Sequence, residues 1–220
     1  MTEAELALKF IDYFEDFDIY KEVPGGGGVI DIVPVKGGIR IAVEVKVQLS
    51  FEVIWQAFQA KGQVHYAYAA APVKHIHPAQ KALCVHLGIG VLAYKELKTC
   101  GWNAKNERKL LTYQIEEIVK PKLNRSPRKL FLHDYMKRSQ AGSQSNRMTA
   151  FGYFVECLTT VVAKHPEGIA FDECFKKLEY PHYRNVSLFR NAAAKWCRVG
   201  VIKNIEFYGG KFYYKQPESK

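Results

Sequence analysis

The segment VIDIVPVKGGIRIAVEVKVQ, residues 29–48, sets Asp31, Glu44 and Lys46 into a largely apolar, β-branched run. Charged side chains are rarely buried without partners, so two carboxylates and a lysine in such a run call for a reason. Residues 39–47 alternate strictly, and a strand sends successive side chains to opposite faces. Ile41, Val43, Val45 and Val47 then share one face, and Arg40, Ala42, Glu44 and Lys46 share the other. Gly37-Gly38 suits a two-residue hairpin turn, because both positions tolerate positive φ. With that turn, partner numbers sum to 75, and Asp31 faces Glu44. Directly opposed residues have Cβ atoms about 4.5–5.5 Å apart, and opposed like charges destabilise a sheet. A divalent cation offsets them. Hard oxygen ligands suit Mg2+ or Mn2+, which keep waters for nucleophile and substrate. Lys46, one pleat further on, is placed to polarise a phosphate oxygen or to hold the attacking water. This is equipment for metal-assisted phosphodiester hydrolysis. Pro34 lacks an N–H and threatens the pairing with a lost bond or a bulge. The competing reading is a solvent-facing strand side with incidental charges.

The elements around this hairpin must hold it in place. Residues 2–20 read as an amphipathic helix with Leu6, Phe10, Tyr13, Phe14 and Phe17 at helical spacing, opened by a Thr2–Glu5 capping box. The VPGGGG stretch breaks the chain at 24–28. Its glycines are either a flexible connector or a place where a nucleic-acid backbone comes close; no Gly-Lys-Ser/Thr follows, so they are not a nucleotide P-loop. Residues 51–63 read as a helix with Phe51, Ile54, Trp55 and Phe58 on one side. Residues 64–72 read as a buried strand, 78–87 as a helix and 88–94 as a further strand. The sum is an α/β sandwich.

With these elements in order, the chain resembles the PD-(D/E)xK, or restriction-endonuclease-like, nuclease superfamily over about residues 2–95. Asp31 matches the motif's Asp, and Glu44-Val45-Lys46 matches Glu-x-Lys. Ile30 stands where the motif's name has Pro, a departure shared by many members. The resemblance implies a mixed central sheet flanked by helices, DNA as substrate and a Mg2+ or Mn2+ cofactor held by Asp31 and Glu44. It also implies a glutamate from the first helix, for which Glu5 is the matching position, with the capping box as the competing role. Relatives place a Gln on the helix after Glu-x-Lys. Here Glu52, Gln56, Gln59 and Gln63 form a polar stripe, in which Gln56 is the best match.

The rest of the chain points to a polyanion. Formal net charge is +10, and it is uneven: residues 1–110 hold 13 Lys and Arg against 12 Asp and Glu, whereas 111–220 hold 19 against 10. A basic half joined to a neutral half suggests nucleic acid. Residues 116–147 read as a basic linker with one short helix (129–138), between a nuclease domain at 1–115 and a compact unit at 148–220. That unit reads as helices at 149–164, 171–179 and 184–199 followed by a hairpin turning at Gly209-Gly210, a winged helix. On its third helix Val186, Phe189, Ala193 and Trp196 should face the core. Arg184, Asn185, Ser187, Arg190, Asn191, Lys195 and Arg198 are left outward, joined by Lys203, Lys211 and Lys215 of the hairpin. Arg, Asn and Lys read base edges or grip phosphates; the competing role is protein contact. A DNA-binding regulator with an inert nuclease-like scaffold is the alternative function.

The five cysteines form no CxxC pair and read as reduced thiols, and His75 and His77 lack partners at zinc spacing. With 48% apolar residues, no bilayer-length apolar run and no signal-peptide pattern at the start, the reading is a soluble cytoplasmic protein that is not membrane-bound. The oligomeric state stays open, with a homodimer as one candidate because paired cuts on a duplex usually take two active sites.

Overall fold

The computed structural model describes residues 1–97, 112–142, 148–179 and 182–215. The chain divides into two compact units, Met1–Arg147 and Met148–Lys220.

The first unit is a mixed α/β sandwich. Its six-stranded sheet follows chain order: β1 (Asp18–Gly25), β2 (Gly28–Lys36), β3 (Ile39–Val45), β4 (Tyr66–Pro72), β5 (Gly90–Leu97) and β6 (Thr112–Val119). β2 runs antiparallel to its neighbours β1 and β3; β3, β4 and β5 run parallel, and β6 returns antiparallel. The parallel pairs require crossovers, supplied by α2 (Phe51–Ala60) between β3 and β4 and α3 (Pro78–Leu87) between β4 and β5. These helices cover one face, where Val53, Ile54, Ala57 and Cys84 pack on Ala69, Ala71 and Val91. The first helix, α1 (Glu3–Tyr13), covers the other, where Leu6, Phe10 and Phe14 pack on Ile32, Ile41, Val43 and Val45.

Several expectations change here. The helix expected over 2–20 ends at Tyr13, and Asp18–Gly25 is an edge strand. The aromatic residues Phe14 and Phe17 that extended the helical pattern instead pack edge-to-face after the helix has ended. The four glycines are the β1–β2 hairpin turn rather than a connector, and Gly26 N–H donates to Gln63 Oε1 at 2.6 Å. On α2 the buried stripe is Val53, Ile54, Ala57 and Ala60; Phe51 and Trp55 are 69% and 56% exposed. The span 116–147, expected as a linker, belongs to the first unit: part of it is the sixth strand, and the expected helix over 129–138 is a short 3-10 turn at Asp134–Arg138.

The second unit contains α4 (Ala150–Ala163), β7 (Ile169–Ala170), α5 (Phe171–Lys177), α6 (Val186–Arg198), β8 (Ile205–Tyr208) and β9 (Lys211–Tyr214). Its antiparallel sheet has the order β7-β9-β8. Gly209 and Gly210, with φ of 57° and 76°, turn the β8–β9 hairpin. Phe154, Leu158, Ile169, Phe189 and Phe212 form its core. Phe189 and Ala193 of α6 are buried as expected, while Val186 and Trp196 are half-buried. Among the described residues no helix is long and apolar enough to cross a membrane. Cys84, Cys174 and Cys197 are free thiols, and burial raises all three above the usual thiol range. Cys100 lies outside the described residues.

Candidate metal centre and nucleic-acid surface

The β2–β3 register follows from local chemistry. Gly37 and Gly38 adopt φ of 57° and 82°, the left-handed pair that a two-residue turn needs. The pairs Lys36–Ile39, Val35–Arg40 and Ile32–Val43 keep one register on both sides of Pro34. No bulge intervenes, and Asp31 lies opposite Glu44 one residue beyond the last paired position. Asp31 Oδ2 accepts from Val45 N at 2.8 Å, which ties its carboxylate to the strand carrying Glu44.

The side of β3 opposite the valines is not open to solvent. Ala42 is buried and Glu44 is only 3% exposed, because Glu44 pairs with Ala69 of the parallel neighbour under helix α2. Burial pushes the Asp31 and Glu44 carboxyls well above the carboxylate range. The Asp31 charge pushes Glu44 further up, while the Val45 N–H on Asp31 and the Asp31 N–H on Glu44 partly oppose the rise. Two acids that resist ionisation together are the groups a cation would relieve.

Gln56 faces this place from α2. A small cavity of ≈ 30 Å³ is lined by Glu44, Gln56, Gly27, Ile30 and Gln63. Among the described residues, the buried Gln56 Oε1 has no hydrogen-bond partner. A cavity of that size takes a water, and a metal-bound water would supply the missing donor. The residues present therefore fit a small hard cation: the facing carboxylates of Asp31 and Glu44 would be its ligands, and the Gln56 amide oxygen would accept from a water in the cavity beside Glu44, the sparse protein ligand set Mg2+ prefers. Among the described residues no three His, Cys, Asp or Glu converge as a ready-made cage.

Lys46 follows β3 directly, and its Nζ lies 2.9 Å from Glu3 Oε2. Burial pulls the Lys46 ammonium down, but the hydrogen bond to Glu3 and the charges of Glu3, Asp31 and Glu52 together outweigh it, leaving the group above the usual lysine range. The acid that α1 brings to the site is thus Glu3. Glu5 occupies the capping box instead: its carboxylate accepts from Thr2 N at 2.8 Å, and its own N–H donates to Thr2 Oγ1. Of the two roles expected for Glu5, the structure shows the capping box, and the first-helix carboxylate beside Lys46 is Glu3.

Glu22 was not foreseen at all. It is buried and carries a positive φ of 53°, the left-handed region that costs a non-glycine residue of order 1–3 kcal/mol. The flanking pairs Lys21–Ile32 and Val23–Ile30 place it opposite Asp31 on the β1 side. Its charge adds to the upward push on Asp31 and Glu44, and its Oε1 accepts from Gly142 N at 2.8 Å. Acids thus lie in a row across three strands. Reading residues 18–25 as a strand would have revealed it.

In the second unit, Arg184, Asn185, Ser187, Arg190, Asn191, Lys195 and Arg198 are all exposed along or just before α6, and Lys211 is exposed on β9. Asn185 is the N-cap of α6 and accepts from Leu188 N at 2.9 Å. Arg190 lies 5.3 Å over Phe171 and 3.5 Å from Asp172; Arg198 lies 5.6 Å over Phe207. These two arginines, with Asn191 and Lys195, border a cleft of ≈ 460 Å³.

No family model matches the chain, and neither a curated protein nor a solved structure matches it.

Proposed function

We propose that this protein is a Mg2+- or Mn2+-dependent DNA endonuclease of the restriction-endonuclease-like class, with a winged-helix DNA-binding unit at its C-terminal end. The observation that carries the reading is half-buried Asp31 facing buried Glu44, with Lys46 two residues on. Asp31 and Glu44 would hold the cation, with Gln56 hydrogen-bonding to its water shell. A bound cation supplies Lewis-acid polarisation of the phosphate and an acidified water. Lys46 contributes a fixed ammonium that orients the attacking water or neutralises a phosphate oxygen, and Glu3 restrains that ammonium. The second unit and the basic residues of 116–147 supply sequence-independent grip, since phosphate neutralisation dominates DNA affinity.

Asp31→Ala and Lys46→Ala should each abolish Mg2+-dependent cleavage of plasmid and oligonucleotide DNA while DNA affinity stays within about twofold. Wild-type cutting by both variants would end the reading. The Glu3–Lys46 ion pair, which occupies the lysine, favours a second reading: a DNA-binding regulator whose nuclease-like unit is a scaffold. Titration calorimetry separates the two, because the regulator takes up neither Mg2+ nor Mn2+ at Asp31 and Glu44.

A further inference from the structure

The carboxyl ends of β3, β4 and β5 open onto a second, much larger cleft, of ≈ 600 Å³. Ligands of open α/β sheets bind outside the carboxyl ends of parallel strands. Val47 borders the cleft immediately after Lys46, and Met1 borders it two residues before Glu3, so the cleft adjoins the Glu3–Lys46 pair. Its other walls are Lys74 and His75, in the turn after β4, and Tyr94, Lys95 and Glu96 of β5. Lys74 and Lys95 are exposed, and among the described residues neither has a carboxylate at ion-pairing distance. Tyr94 presents a half-buried ring that pairs with Tyr113 at 5.6 Å.

We infer that this cleft holds an unpaired nucleic-acid strand continuous with the phosphodiester at Lys46, so that the substrate is DNA carrying a single-stranded tail or branch. The inference deepens the nuclease reading and rests on it for the position of the scissile bond. Free cations set around an aromatic wall are the two components of single-strand recognition: lysines follow the phosphates, and a ring stacks a base. A base inside a duplex is stacked on both faces by its neighbours and has none to offer that ring, which selects an unpaired strand over a duplex. The apolar edge of Val47 suits sugar and base carbon rather than an acidic peptide.

The test is fluorescence anisotropy on the full chain in chelator, where nothing is cut, with a blunt duplex and the same duplex bearing a ten-nucleotide tail. Wild type should bind the tailed DNA roughly 10-fold tighter. The exposed double variant Lys74→Ala/Lys95→Ala, checked for an unchanged melting temperature, should lose most of that preference. Its slope of log affinity against log salt on tailed DNA should fall by about 1.4, the release from two single-strand phosphates. Equal binding of blunt and tailed DNA by wild type, or an undiminished preference in the double variant, overturns the inference. A cleavage assay with added Mg2+ keeps the two readings apart. Asp31-dependent cutting without tail preference leaves the nuclease standing and the cleft refuted. Tail preference lost in the variant, with no cutting by wild type, does the reverse.

Discussion

At the scale of the residue, the chemistry turns on carboxyls held where ionisation is unfavourable. Asp31 is pushed up to about 6 and Glu44 to about 9, chiefly by burial. Both folded values lie above the unfolded ones, so the native state binds more protons than the unfolded chain between about pH 4 and pH 9. Metal-free stability should therefore be greatest at the acid end of that window and decline as pH rises through it. A cation relieves the same burden, so the rise in melting temperature produced by 10 mM Mg2+ should be larger at pH 8.5 than at pH 5; equal increments would show that no ion sits between these acids. The two glutamates of α1 should separate cleanly. Glu3→Gln frees Lys46 and should lower the cleavage rate by tenfold or more, read by single-turnover kinetics. Glu5→Gln should leave that rate unchanged, because its side chain serves the helix start.

At the scale of the element, the α1 cap and the glycine hairpin fix where those residues stand. Thr2→Ala removes a capping box and should cost about 1 kcal/mol, seen as a lower denaturant midpoint. The tip of the β1–β2 hairpin lies on α2: a Cβ at Gly27 would come within 2.5 Å of the Gln59 Cβ. Gly27→Ala should therefore destabilise by about 1–3 kcal/mol through overpacking. Gly27 also walls the small cavity beside Glu44 and Gln56, so the same variant should weaken Mn2+ uptake in calorimetry; unchanged stability would mean that the hairpin and α2 are not tightly packed.

At the scale of the molecule, two units each bury their own apolar core. Separate cores predict separable unfolding. Phe189 is fully buried among Phe154, Phe171 and Phe212. Phe189→Ala should cost about 3–5 kcal/mol in the second unit. Scanning calorimetry should show one transition displaced and the other held; a single transition shifting as a whole would show that the units melt cooperatively.

The sequence by itself determined what local chemistry controls. A period of two and a Gly-Gly turn set the β2–β3 register, so Asp31 opposite Glu44 was legible, as were the α1 cap, α3, and α6 with its outward Arg, Asn and Lys. Only the tertiary structure decided what depends on distant partners. Helix α2 covers the acidic side of β3 and turns an apparently wet strand face into a buried one. The Asp18–Gly25 strand was hidden because its pairing partner, rather than its own pattern, makes it a strand, and Glu22 was hidden with it. Phe51 and Trp55 stand exposed because α2 turns Val53, Ile54, Ala57 and Ala60 to the sheet instead. Periodicity and turn chemistry act over a few neighbouring residues, whereas burial and charge proximity are set by which surfaces meet once the chain has folded.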